Sequence, residues 1–145
     1  MAELQYEEGI VAPPALPAGR RVLLAEDHPV NQELVMMLLG EVGVQVDMVA
    51  DGEAAVQRAR ASCYDLALLD IHMPRLDGLA ACRAIRQLPG WGHVPIVAMT
   101  ASAFEADREA CLAAGMSDFI AKPLMAEVFY AVLKRWLAGG DRPAA

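Results

Sequence analysis

A doubly wound α/β domain is predicted, with one parallel sheet covered by helices on both faces. Three observations predict it. Apolar strand-like runs and helical patterns alternate five times after Arg21, as a parallel sheet with crossover helices requires. The runs are short, and Gly, Pro or Asp stands at many of the breaks between elements. Acids, a hydroxyl and an amine stand at the carboxyl ends of the runs, where open α/β sheets hold their chemistry.

The strands fall near 21–26, 44–50, 64–70, 94–100 and 117–121, and the helices near 30–42, 52–61, 78–88, 104–114 and 124–138. Pro29 suits a first helical turn, where its missing N–H costs nothing. In the first helix Val30, Leu34, Met37, Leu38 and Glu41 recur at three- and four-residue steps, a mostly apolar stripe expected to face the core. Asp51 before Gly52 is a cap for the second helix, and Asp77 before Gly78 is a turn and helix-start residue. Gly115 suits the left-handed position that closes the fourth helix, and Gly139-Gly140 ends the fifth. Trp91, between Gly90 and Gly92, is expected in a loop, and Trp136 against the core or half exposed. Met36, Met37 and Met48 are read as packing residues. A switch point between two strands on one side and three on the other gives the flavodoxin-like (βα)5 arrangement, strand order 2-1-3-4-5.

Composition excludes several classes. The 145 residues fit one domain with a single substantial core, and 56% are hydrophobic against 21% charged. A net charge of −7 and a pI near 4.8 argue against direct nucleic-acid binding. No apolar stretch approaches the roughly 20 residues that span a bilayer. Cys63, Cys82 and Cys111 show no C-x-x-C spacing, so they read as reduced thiols and the expected compartment is the cytoplasm. Residues 1–19 end in a Pro-rich stretch, Val11 to Gly19, that reads as a semi-rigid leader or linker.

The chemistry gathers at the strand ends. Glu26 and Asp27 follow the first apolar run, Asp70 ends the third, Thr100 ends the fourth and Lys122-Pro123 follows the fifth. In the predicted order the first and third strands are neighbours, so three carboxylates converge. Crowded carboxylates repel, and a divalent cation relieves them. Magnesium takes few protein oxygens and keeps its waters, which suits this set. Asp27 and Asp70 are direct ligands in this reading, Glu26 acts through water, and the backbone carbonyl of His72 completes the set. Asp70 can then accept a phosphoryl group, a reaction that needs positioning and charge stabilisation above all. Lys122 pairs with Asp70 before transfer and with a phosphoryl oxygen after it, where Thr100 donates its hydroxyl.

An aspartate at a strand end is ordinarily a turn or cap residue. Asp70 is set apart by its company. His28 and His93 read as loop or cap residues, and the His72 side chain as pointing outward beside the site.

Glu26-Asp27, Leu69-Asp70-Ile71-His72-Met73-Pro74, Asp77-Gly78, Met99-Thr100-Ala101 and Lys122-Pro123, in that order, resemble the receiver domain of two-component response regulators. The resemblance covers about residues 20–138, leaving 1–19 as leader and 139–145 as a flexible tail. It implies that Asp70 is the phosphoacceptor, Glu26 and Asp27 the metal pair, Thr100 the switch hydroxyl and Lys122 the phosphate-contacting amine. Phe119 falls at the switch-aromatic position, without the hydroxyl of the tyrosine common there. His72 and Ser102 fall where receivers tune hydrolysis of the aspartyl phosphate, and neither is well suited to positioning water. The resemblance also implies a cis Lys122-Pro123 bond.

A narrower resemblance, in Asp27-His28-Pro29-Val30-Asn31-Gln32 and in Cys111 to Asp118, is to receivers of hybrid sensor histidine kinases. It implies a sensor histidine kinase or a histidine phosphotransfer protein as partner, and a parent that is a kinase although this module is a phosphoacceptor. A phosphorylation-dependent dimer through helix four, strand five and helix five is a further expectation. A stand-alone single-domain regulator stays open. A phosphatase of haloacid-dehalogenase type needs an Asp-x-Asp pair, and Asp70-Ile71-His72 lacks the second acid.

Overall fold

The computed structural model describes residues 12–101 and 105–138, with the side chains of 105–107 left aside. Five strands alternate with five helices: β1 (Arg21–Ala25), α1 (Pro29–Gly40), β2 (Gln45–Val49), α2 (Gly52–Ala61), β3 (Leu66–Asp70), α3 (Gly78–Arg86), β4 (Ile96–Thr100), α4 (Glu105–Ala113), β5 (Asp118–Ala121) and α5 (Ala126–Leu137). All pairs are parallel and the sheet order is β2-β1-β3-β4-β5. The predicted class and order hold, with most ends trimmed by a residue or two and α1 starting one residue earlier, at Pro29.

β3 and β4 are buried at every position, as central strands of a doubly covered sheet must be. Their alternate residues feed two cores. Leu69, Ile96 and Ala98 face Ala55, Ala81, Ile85 and Cys111 from α2, α3 and α4. Leu66, Leu68, Val97 and Met99 face Leu38 and Leu39 of α1 and Phe129, Leu133 and Leu137 of α5. Cys82 and Cys111 fill space as expected, whereas Cys63 is exposed.

The caps behave as the sequence foretold. Asp51 accepts from the Ala54 N–H and Asp77 from the Ala80 N–H, both at 2.8 Å, and each satisfies a donor that the first helical turn leaves open. His28 caps α1, its Nδ1 accepting from Val30 at 3.2 Å, with Pro29 in the first turn. Gly115 has φ 101°, the left-handed backbone that closes α4.

The phase of α1 differs from the expected stripe. Val35, Leu38 and Leu39 are buried, while Val30 and Met37 are 67% and 60% exposed. Seven of the ten residues from Val30 to Leu39 are apolar, so two overlapping stripes fit the same spacing and only the neighbouring α5 decides between them. Met36 and Met48 are also exposed rather than packed. Trp91 does lie outside the helices and strands, but it is buried and its indole N–H donates to the Ala59 carbonyl at 3.0 Å. Trp136 is partly buried and donates to Asp118.

The leader is in part docked. Leu16 packs on the α1–α5 core, and Arg20 is buried, donating to the last carbonyl of α5, that of Leu137, and pairing with Asp65 at 4.0 Å. The Gly139-Gly140 helix stop and the tail 139–145 lie outside the described residues. Among the described residues no helix is long and apolar enough to cross a membrane.

Candidate functional site

The parallel register carries three strand ends to one edge. β1 delivers Glu26 and Asp27, β3 delivers Asp70 and β4 delivers Thr100. One ligand oxygen from each of Glu26, Asp27 and Asp70 lies within 4.8 Å of the others. Glu26, Asp70 and Thr100 are buried, whereas Asp27 faces solvent at the rim.

Lys122 reaches back from the turn after β5. Its Nζ lies 3.1 Å from Glu26 Oε1 and 3.1 Å from Asp70 Oδ2. The Lys122-Pro123 bond is cis, as expected. Glu26 also accepts from the His28 N–H at 3.0 Å through Oε2, and its own carbonyl accepts from Gln32 Nε2 at 2.7 Å. These bonds fix the acid at the amino end of α1. Asp70 Oδ1 accepts from the His72 N–H at 3.3 Å, which turns the backbone of the following loop towards the site.

One amine therefore serves two buried acids, with the exposed Asp27 carboxylate close beside them. Burial, then the Glu26 charge, raises the Asp70 carboxyl from its ordinary 3.8 to about 6 against the opposing pull of Lys122. Burial pulls the Lys122 amine down, but its bonds to Asp70 and Glu26 outweigh that and the net direction is up. The site is short of positive charge.

His72 is exposed, its side chain outward as read from the sequence. Phe119 is half-buried on β5, and Ser102 lies outside the described residues. Two supporting residues escaped the sequence reading. A Cβ on Gly78 would sit 2.2 Å from the Asp70 carbonyl oxygen, and the Gly78 N–H donates to Ile71 at 2.8 Å. Gly78 is thus required where α3 backs onto the Asp70 end of β3. Gln32 is the second; its bond to the Glu26 carbonyl needs the helix geometry to be seen.

Residues 22–134 match the family model for the response regulator receiver domain. The chain belongs to the response regulator receiver family. The receiver relatives include sensor kinases. Over 118 residues the chain is 40% identical to the signal transduction histidine-protein kinase BarA of Escherichia coli K12, covering 81% of this chain and 13% of BarA. It is 36% identical over 132 residues to the sensor protein GacS of Pseudomonas syringae, covering 87% of this chain and 14% of GacS. The chain thus spans about a seventh of these relatives. Among solved structures, the receiver domain of sensor histidine kinase PA1611 from Pseudomonas aeruginosa superposes with a TM-score of 0.77 at 45% identity, over 81% of this chain and 97% of that one. That receiver carries a magnesium ion coordinated in its active site cleft.

Proposed function

We propose that this receiver accepts a phosphoryl group from a phosphohistidine onto Asp70, in a reaction that depends on Mg²⁺. The observation that carries the reading is the single amine, Lys122, held 3.1 Å from both Asp70 and Glu26 while Asp27 stands open beside them. The donor set is all carboxylate oxygen, with an open rim, which fits a hard divalent cation that keeps its own waters. Asp27, Asp70 and the His72 carbonyl would hold it, with Glu26 acting through water. When bound, the ion supplies the positive charge that the site lacks.

Ionised Asp70 is the nucleophile. Its oxygen forms the new P–O bond as the P–N bond of the phosphohistidine breaks and the imidazole leaves. The Asp70 Oδ2 edge is fixed by Lys122, whose amine follows the charge to a phosphoryl oxygen. Thr100, at the end of the adjacent strand, donates its hydroxyl to another. The product adds about −1.5 to −2 charge at a buried strand end. Phe119 and the α4–β5–α5 surface read that change, by partner docking or by dimer formation. The kinase relatives favour a hybrid-kinase parent, with a sensor histidine kinase or a histidine phosphotransfer protein as partner, at the cytoplasmic side. His72 and Ser102 set hydrolysis, giving a slow to intermediate phosphate lifetime that suits onward relay.

Incubation with a small acyl phosphate and Mg²⁺ tests the assignment. One acid-stable, base-labile phosphoryl group is expected, and none on Asp70→Asn, whose amide is a poor nucleophile. Continued labelling of that variant would overturn the assignment.

A further inference from the structure

The Arg108 guanidinium of α4 lies over the ring of Phe119 on β5, 4.4 Å from its centroid. That is well within the roughly 6 Å over which a cation is held by the face of an aromatic ring. The Phe119 ring is half-buried and packs on the α2–α3–α4 core, while Arg108 is exposed. Phenylalanine has no hydroxyl, so its ring face is the polar handle it offers.

The placement of this contact is informative. Phe119 stands opposite Ala98 on β4, two residues before Thr100, and three residues before Lys122. β5 therefore runs directly from the ring to the amine that touches Asp70. The carboxyl half of α4 is fixed by the buried Cys111 and Ala114 and by the bond from the Met116 N–H to the Cys111 carbonyl at 3.0 Å. Arg108 lies about one turn earlier. Between helix and strand at this level runs an open groove of about 200 Å³, lined by Arg108, Cys111, Leu112 and Phe119 among others. The groove leaves Arg108 free of close packing on that side.

We propose that Arg108 is a positioning residue that couples α4 to β5, so that a change of state at Asp70 reaches the helix through Lys122, the β5 backbone, the Phe119 ring and the guanidinium. The inference rests on the reading of Asp70 as phosphoacceptor. A cation–ring contact at an exposed site is weak enough to be broken or remade by a small ring movement. It depends on the charge as well as on the shape of the side chain, which separates it from packing.

The test is amide chemical-shift mapping of the full chain with Mg²⁺ alone and then with Mg²⁺ and beryllofluoride, an anionic mimic of a phosphoryl group. The parent, Arg108→Gln and Arg108→Lys are compared after thermal melting has shown each to be folded. Shifts around Asp70 are expected in all three. The shifts along α4 are expected to fall by more than half in Arg108→Gln and to return in large part in Arg108→Lys. Undiminished α4 shifts in Arg108→Gln, with the Asp70 shifts present, would overturn the coupling alone. Absent shifts around Asp70 in the parent would overturn the phosphoacceptor reading, and the coupling with it.

Discussion

The two ends of the sheet are both lined with charge, but they balance it differently. At the amino end every acid has a matched partner. Asp47 takes Arg21 at 3.2 Å, Arg58 at 3.5 Å and the Tyr64 hydroxyl, while Asp65 pairs with buried Arg20 and accepts the Arg21 N–H at 2.8 Å. At the carboxyl end two buried acids, Glu26 and Asp70, share Lys122, with Asp27 close beside them. Folding alone favours the first arrangement, since unpaired buried charge is expensive. The second is tolerated at a cost to stability, and that cost marks the end where chemistry occurs.

Three substitutions and one thiol measurement would break or sharpen this contrast. The largest effect is expected at the amino end. Arg20→Ala takes the guanidinium away from buried Asp65, and removing one partner of a buried pair costs about 3 kcal/mol. Urea unfolding should show the loss while Mg²⁺ affinity is unchanged. A loss too small to measure would mean that the pair is structurally idle.

Second, Asp70→Asn should stabilise the metal-free protein. Asp70 has a folded-state value of about 6 against an ordinary 3.8, so its ionisation burdens the folded state. The burden is absent below about pH 4 and complete above pH 6, and Asn removes it while Lys122 keeps Glu26. The gain is about 1–3 kcal/mol at pH 7.5, fading as pH falls towards 4. Melting curves with chelator across that range check both size and sign.

Third, Asp27→Ala should weaken Mg²⁺ binding by about tenfold or more, equivalent to about 1.4 kcal/mol, with little effect on melting because the side chain is exposed. Calorimetric titration decides it, and unchanged affinity would misassign the acidic pair. The smallest effect concerns thiols. Burial pushes Cys82 up to about 11, so it should stay protonated and unreactive at pH 8 while exposed Cys63 is modified. Its contribution to stability is present below the ordinary thiol range and is lost as pH rises towards 11. Mass-resolved alkylation separates the two.

Much of this was legible in the residues. The strand ends could be read because each carries its chemistry directly after an apolar run, and the parallel order then forces Glu26, Asp27 and Asp70 together. The caps could be read because Asp51 and Asp77 act on residues three positions away. The phase of α1 was not legible, because an almost continuous apolar helix leaves its buried face to be chosen by α5. Nor was Arg86, whose guanidinium joins Gly115, Trp91, Val94 and Ser117 and so ties α3 to the starts of β4 and β5. In sequence it is one of two basic residues in the last turn of a helix, and its partners lie up to 31 residues away.

The docking of Leu16 and Arg20 has a mechanical consequence. Any pull on the chain ahead of β1 is received at the amino end of that strand and at the carboxyl end of α5, where Arg20 grips Leu137. Asp70 stands at the far end of the neighbouring strand, about 15 Å away at the usual rise per residue. The load passes into the anchored base of the sheet, and the reactive edge stays still.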